Sequence, residues 1–318
     1  MRLKLVQLLS DKDYISGAEI SKKLGVSRTA VWKHIKALKE EGYIIEAQYG
    51  RGYLLKKHTD FLTPEKIKMG LKASLLGCMI LYHTEVGSTN EEVKKIAQKG
   101  YPEGTLVIAE NQTMGKGRMG RMWLSSTRGI SFSVLLKPPI PPAQTPQLSL
   151  MAAAALQQTL MKDFSIMTGI KWPNDLMIKG KKICGILTEM NGEIDRVNYV
   201  VLGVGINVNQ SFEDFTTELQ DEATSLKIVT GHEINRAILL QKYLDNLENF
   251  YLDYLEKGFS QTRDICKAES HTLNNLVSII SGDKEITGKA IDIAKDGALI
   301  VMQKSRKIAC YGGEVTVV

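Results

Sequence analysis

TLVIAENQTMGKGRMGRMWLSSTRGISFSVLL, residues Thr105–Leu136, decides the architecture of the longest part of this chain. It opens on a strand-like run, Thr105–Glu110, and closes on another, Ile130–Leu136. Between them GKGRMG, Gly115–Gly120, has the spacing G-x-G-x-x-G. A dinucleotide fold needs a helix directly after such a loop, and an acid ~20 residues on for the ribose. Here turn residues follow, and no Asp or Glu occurs from 111 to 162. A phosphate loop of the Walker type fails too, because Gly120 is followed by Arg121-Met122 and not by Lys-Ser/Thr. Lys116, Arg118 and Arg121 therefore read as an anion holder outside both common nucleotide folds. The competing reading is a solvated basic loop. Three glycines in six residues weigh against it, because they cost chain entropy without any packing gain.

Two flanking stretches extend this reading. Upstream, Gly87-Ser88-Thr89-Asn90 leads into an amphipathic helix, Glu91–Gln98. Short polar side chains meet free helix N–H groups there, which suits a polar ligand head or simply an N-cap. Downstream comes KWPNDLMIKGKKICGILTEM, Lys171–Met190. Pro173-Asn174-Asp175 breaks a strand, Lys179-Gly180-Lys181 turns a hairpin, and Ile183–Met190 returns. Lys182 begins the return and can aim a cation into an apolar site, where charge acts strongly. A Pro-rich link (Pro138–Pro146), a helix (Leu148–Leu160), strands over about 170–208 and a long helix (Ile234–Glu256) complete an α+β domain with a mixed or antiparallel sheet. From about Leu273, turns at SGDKE, KDGAL and YGGEV predict a small SH3-like β-barrel.

The start of the chain differs in charge. Residues 1–60 hold 12 Lys and Arg against 7 Asp and Glu, and the other 258 residues hold 29 against 28. Ser16-Gly17-Ala18-Glu19 fits a capping box. Leu24-Gly25 ends that helix, and Ser27 caps the next. Val31, Ile35 and Leu38 then make one buried stripe, while Arg28, Thr29, Trp32, Lys33 and Lys36 lie off it. After Gly42 the pattern alternates, and Gly50-Arg51-Gly52 turns a hairpin with Arg at its tip. This is a winged helix-turn-helix in outline, and Ser27, Arg28, Thr29, Trp32, Lys33 and Arg51 are its candidate DNA contacts. The bland alternative is a small helical module that docks on protein. Lys56–Phe61 reads as a linker, and Thr63-Pro64-Glu65 starts a new helix.

The 318 residues include 43% hydrophobic and 24% charged, the mix of a soluble globular protein of two or three domains. No apolar run approaches ~18 residues, and the start lacks a signal-peptide pattern. Cys78, Cys184, Cys266 and Cys310 are scattered without a CxxC pair, as are the five histidines. A reduced, cytoplasmic setting and no His/Cys metal site are expected.

Five motifs together resemble one family: STN at 88–90, the Gly115–Arg121 loop with Trp123, KWPND at 171–175, GKKICGIL at 180–187 and GVGINVN at 203–209. The family is the biotin–protein ligases, in the bifunctional form that also represses biotin genes. The resemblance spans the whole chain. It implies a winged helix-turn-helix over 1–60, a biotin/ATP ligase domain over 61–270 and an SH3-like barrel over 271–318. It implies biotin, ATP and Mg²⁺ as ligands, a lysine of a biotin carboxyl carrier protein or carrier domain as acceptor, operator DNA, and a homodimer promoted by biotinyl-5′-AMP. By resemblance, Ser88, Thr89, Asn90, Gln112, Lys116, Gly117, Arg118 and Lys182 meet biotin, with Arg118 and Lys182 catalytic. Gly115, Arg121, Trp123 and Asn207 meet ATP or adenylate, and Asp175 is a candidate Mg²⁺ ligand. Three departures stand out. Lys116 replaces the usual Arg, Met119 replaces another basic residue of some relatives, and Ala223 stands where some place a Trp over adenine. That last role shifts toward Trp123.

The implied chemistry needs no protein nucleophile, in keeping with the lack of a Ser/His/Asp or Cys/His arrangement. Cys184 sits in an apolar run and reads as buried filler. Two rivals stand beside this reading. A lipoate or octanoate enzyme of the same fold would carry RRxxGGG and a later His-Asp, which are not found. A sensor without catalysis would have no use for Lys182 and Arg118.

Overall fold

Helices and a hairpin form where the caps and the alternation of the first 60 residues place them. The computed structural model describes residues 2–9, 13–40, 43–57, 60–282 and 284–318. The chain divides into two units, Met1–Met69 and Gly70–Val318. Gly42, His58 and Thr59 of the expected turn and linker, and Asp283 of the SGDKE turn, lie outside the described residues.

In the first unit a helix that was not predicted, α1 (Arg2–Leu8), precedes α2 (Gly17–Leu24) and α3 (Arg28–Glu40). Ser16 Oγ accepts the Glu19 N–H at 3.1 Å, and Gly25 closes α2 in the left-handed region at φ 65°. Ser27 Oγ accepts the Ala30 N–H at 3.2 Å and starts α3. Val31, Ile35 and Leu38 are buried with Leu5, Ile20, Ile45 and Leu55 in one core. Arg28, Thr29, Trp32, Lys33 and Lys36 are exposed on the opposite face of α3. Strands β1 (Ile44–Gln48) and β2 (Gly52–Lys57) pair antiparallel. Arg51 at their turn lies over the Tyr14 ring at 4.3 Å and donates to Gln48 Oε1. The linker expected from Lys56 starts later, because β2 keeps pairing as far as Lys57, opposite Ile44.

After α4 (Pro64–Gly70) come β3 (Ile80–Val86), α5 (Thr89–Gln98), β4 (Leu106–Gln112) and β5 (Ile130–Leu136). Then follow α6 (Thr145–Phe164), β6 (Gly169–Lys171), β7 (Asp175–Ile178), β8 (Lys181–Gly192) and β9 (Val197–Ile206). Three helices end this region: α7 (Leu226–Thr230), α8 (Arg236–Lys257) and α9 (Ser260–Ala268). Helix α6 extends beyond Leu148–Leu160 at both ends, with Pro146 in its first turn, where a missing N–H costs nothing. The expected Pro-rich link is shorter accordingly.

The seven strands form one mixed sheet of order β3-β4-β5-β9-β8-β7-β6, parallel only between β3 and β4. Strand alternation sorts its two faces. Phe132 meets Tyr243 of α8 edge-on, and Thr188 bonds Ser149 of α6 at 2.7 Å, so those residues face the two long helices. The Ala152–Ala155 run lets α8 approach α6 closely, with Tyr243 Oη donating to the Ala152 carbonyl at 3.0 Å. On the other face α5 packs Val93 and Ile96 against Val107, Leu135 and Val201. Helix α5 covers only part of that face. Beyond its N-terminus the floor is Gly185, Gly203 and Gly205, where β8 and β9 pair Gly185 with Gly205 and Leu187 with Gly203.

The last five strands are β10 (Leu276–Ser281), β11 (Lys284–Ile293), β12 (Leu299–Gln303), β13 (Arg306–Cys310) and β14 (Glu314–Val317). They form an antiparallel sheet of order β13-β12-β11-β10-β14, the order expected of an SH3-like barrel. Trp172 joins it to the larger sheet by donating its N–H to Thr272 Oγ1 and its indole N–H to the Gly297 carbonyl.

Candidate functional site

A cavity of about 470 Å³ opens over the glycine floor, a size typical of small-molecule sites. One end is a hydrogen-bonded polar cluster. Gln112 Oε1, at the end of β4, accepts the Thr89 N–H at 2.8 Å and the Thr89 hydroxyl at 3.1 Å. Ser133 Oγ reaches Thr89 Oγ1 at 2.7 Å and donates to Asn90 Oδ1 at 2.6 Å. Asn90 Nδ2 donates to Glu189 Oε2 at 2.7 Å, and Lys94 Nζ lies 2.7 Å from Glu189 Oε1. Both ends of the Asn90 amide are therefore fixed. Gly203 permits this, because a Cβ there would collide with Asn90 Oδ1. Ser88 is the N-cap residue by backbone but makes no side-chain cap bond.

The glycine loop supplies the opposite wall. Gly115 is its foot: its carbonyl accepts the Trp123 N–H at 2.9 Å, and the residue does not line the cavity. Gly117 does line it, and Arg118–Gly120 form one short helical turn with Met119 at φ 55°. Arg118 is half-buried and donates to Asn174 Oδ1 at 3.1 Å. Burial lowers its pKa, while the nearby Asp175 charge works the other way. Asn174 in turn exchanges bonds with Ile186 of β8, which fixes Arg118 to the sheet.

Three further cations have partners of their own. Lys116 Nζ lies 2.6 Å from Glu91 Oε1, and this contact, with Lys94 second, lowers the Glu91 pKa. Arg121 pairs with Glu314 of β14, which raises its pKa. Lys182 Nζ lies 2.8 Å from Asp175 Oδ2. The expectation of an apolar setting for Lys182 is thus corrected, since a carboxylate of the adjacent strand meets its charge. Asn207, buried, accepts from Gln210 Nε2 at 3.3 Å. Trp123 lies on the floor: a Cβ at Gly205 would run into its indole, and one at Gly185 would sit 3.0 Å from Cζ3.

All the predicted small-molecule residues except Gly115 line this one cavity. Sequence reasoning did not find Ser133, Glu189 and Lys94, which complete the polar cluster. It also missed Glu91 and Glu314, which hold loop cations, and the buried pair Arg236–Glu110 behind the loop. Alternation in ISFSVLL already put Ser131 and Ser133 on one face. Charge partners distant in sequence left no such signal. Cys184 is fully buried, and burial pushes its thiol far up, as filler requires.

Comparison with known proteins gives these features a context. The Biotin/lipoate A/B protein ligase family model matches residues 83–207, an HTH domain model 2–54, and the Biotin protein ligase C terminal domain model 272–318. The Bifunctional ligase/repressor BirA of Bacillus subtilis (strain 168) is 42% identical over 304 residues, covering 95% of this chain and 94% of the relative. That of Escherichia coli (strain K12) is 30% identical over 318 residues, with 99% and 96% covered. The solved biotin protein ligase from Aquifex aeolicus in complex with biotin and ATP superposes with a TM-score of 0.65 at 28% identity, covering 75% of this chain and 98% of that one. On the identity and the coverage of the Bacillus relative, this chain belongs to the bifunctional ligase/repressor family.

Proposed function

We propose that this chain joins biotin to ATP as biotinyl-5′-adenylate, transfers biotin to a carrier lysine, and represses biotin genes through its first unit. The observation that carries the reading is the two-ended cavity. A neutral hydrogen-bonding cluster at Thr89, Ser133 and Gln112 suits a polar ring head. Arg118, Lys182, Lys116 and Arg121 at the other end suit a carboxylate and phosphates.

In the first step a biotin carboxylate oxygen attacks the α-phosphorus of ATP, and pyrophosphate leaves. Two anions must meet, so cations carry the catalysis. Arg118 and Lys182 are assigned to the reacting oxygens, Lys116 to the carboxylate side and Arg121 to the phosphates. Lys116 exchanges Glu91, and Arg121 exchanges Glu314, for the ligand. In the second step a carrier lysine amine attacks the acyl carbon, AMP leaves, and Lys182 steadies the carbonyl oxygen. Ser88, Thr89, Asn90 and Gln112 are assigned to the ring head, with Asn90 acting through the hydroxyls that it orients. Gly115 and Gly117 let the loop fold over, and Trp123 and Asn207 are assigned to the adenylate.

Asp175 Oδ1 is buried with no hydrogen-bond partner, and among the described residues no three His, Cys, Asp or Glu side chains converge. One carboxylate fits a Mg²⁺ that takes its other ligands from ATP and water. When bound, the ion neutralises phosphate charge.

Repression is assigned to a winged helix-turn-helix over residues 1–60 and both ligase steps to 61–270, with 271–318 as the SH3-like barrel. Arg28, Thr29, Trp32 and Lys33, exposed on α3, are assigned to operator DNA, as is Arg51, which would exchange Gln48 for it, while Ser27 is committed to its cap. Adenylate binding is assigned the promotion of a homodimer, which sets two heads on a two-fold operator. No helix among the described residues is long and apolar enough to cross a membrane. The work is placed in the cytoplasm, where ATP, carrier and operator meet. The test is acid-dependent exchange of labelled pyrophosphate into ATP, comparing biotin, lipoate and octanoate. Exchange with biotin alone is expected, and exchange with none of the three would leave a ligand sensor in its place.

A further inference from the structure

Three of the 12 methionines, Met114, Met119 and Met122, fall within nine residues of the glycine loop. They are 65%, 61% and 79% exposed. Met119 and Met122 line the cavity, and each directly follows a loop arginine, Arg118 or Arg121. Met114 stands outside the cavity, against Gly87. The thiol nearest the site is no target for oxidants, because Cys184 is buried beneath the floor and burial holds it protonated. Oxidant access at this site therefore falls to thioethers.

We propose that Met119 and Met122 form a modification site through which hydroperoxides switch off the ligase, an inference that rests on the ligase reading. The thioether sulfur takes one oxygen atom from the hydroperoxide in a two-electron oxidation. The products are a methionine sulfoxide and the alcohol, or water from hydrogen peroxide. Thiol-dependent sulfoxide reductases reverse the change. A thioether is a weak acceptor, whereas the sulfoxide oxygen is a strong one. In the run Arg-Met-Gly-Arg-Met each new oxygen arises one residue from an arginine that is to hold an anion, in the same cavity. The sulfoxides compete for those donors and make the apolar part of the lid polar.

The test treats the full-length protein with hydrogen peroxide, with and without biotin and Mg·ATP. Sulfoxides are mapped by peptide mass, and pyrophosphate exchange is read as the ratio of treated to untreated rate. Met167, 66% exposed and outside the cavity, is the internal reference. Met119 and Met122 are expected to oxidise as fast as Met167 in the free protein, and to be shielded selectively by the ligands. Exchange should fall about tenfold as they convert, the loss of one charge-assisted contact. The M119L/M122L variant should keep its own untreated rate. The proposal is overturned if the unaltered protein keeps its exchange with both residues oxidised, or if the variant loses exchange equally. An untreated protein with no biotin-dependent exchange sinks the ligase reading instead, and the mapping still reports whether ligands shield the loop.

Discussion

Arg236 and Glu110 form an ion pair at 3.1 Å with each side chain only 1% exposed, and the same guanidinium donates to the Gly129 carbonyl at 2.6 Å. Glu110 lies in β4 before the glycine loop, and Gly129 lies just after it. One side chain from the first turn of α8 thus ties both feet of the loop. A cation at a helix N-terminus is unfavourable by itself, so Glu110 offsets the dipole as well as the burial. Arg236→Met should lower stability by about 3–5 kcal/mol, because it takes the guanidinium away from a buried carboxylate. The double variant R236M/E110L should recover much of that in a denaturant melt, yet leave the loop loosely held. Faster proteolysis between residues 113 and 128 and a raised KM for ATP are expected of it. A double variant with the parent's proteolysis rate and KM would reduce the pair to a purely structural role.

Lys182 and Asp175 pair at 2.8 Å across β7 and β8, with the lysine side chain 34% exposed. Such a pair adds little to stability, about 1 kcal/mol or less. Electrostatic stabilisation of a transition state is far larger, so Lys182→Ala should slow biotin-dependent exchange by roughly 10²–10³-fold. The prediction is the contrast between a nearly unchanged melting temperature and a large loss of kcat. A loss of both in proportion would mark Lys182 as a structural residue.

The architecture was legible where a local rule acts. Ser16, Gly25 and Ser27 set helix ends by capping, and the switch from 3.6 to 2 periodicity near residue 43 set the wing. The missing ribose acid and the missing helix after GKGRMG excluded a dinucleotide fold from 32 residues of sequence. The polar cluster was only half legible. Ser88-Thr89-Asn90 is a local signature, but Glu189 reaches Asn90 across 99 residues and Arg236 reaches Glu110 across 126. No periodicity or cap encodes such pairs. They arise when the fold brings strands and helices together, and a charge run looks the same before that. Helices α1, α7 and α9 were missed because each is short, with seven, five and nine residues.

The buried thiols give a pH-dependent readout of the core. Burial raises the thiols of Cys184 and Cys266, the latter to about 12, so their thiolate fractions fall below those of ordinary thiols at any pH. Cys78 is exposed. With iodoacetamide at pH 8.5 the folded protein should gain one label at Cys78, while the buried Cys184, Cys266 and Cys310 react only in denaturant. By linkage, the unfolded chain releases these protons near pH 9 and the folded chain holds them. The thiols therefore cost stability as pH rises above that value. Rapid native labelling of Cys184 would mean that the sheet floor opens, contrary to its burial.

Gly205 sits where the Trp123 indole crosses the floor, so no side chain fits between ring and strand. Gly205→Ala must lift the ring or bend β9, at a cost of about 1–3 kcal/mol for overpacking. Lifting the ring costs less, because Trp123 belongs to a loop whereas β9 pairs with strands on both sides. The variant should therefore keep its fold, show red-shifted tryptophan emission from a ring moved into water, and bind adenylate more weakly. Gly185→Ala has more room, at 3.0 Å from the ring edge, and should show the same changes in weaker form. The order of the two effects separates ring displacement from general damage to the sheet. If Gly185→Ala proved the more severe, or if Gly205→Ala left both emission and exchange unchanged, Trp123 would not be held by this floor in solution.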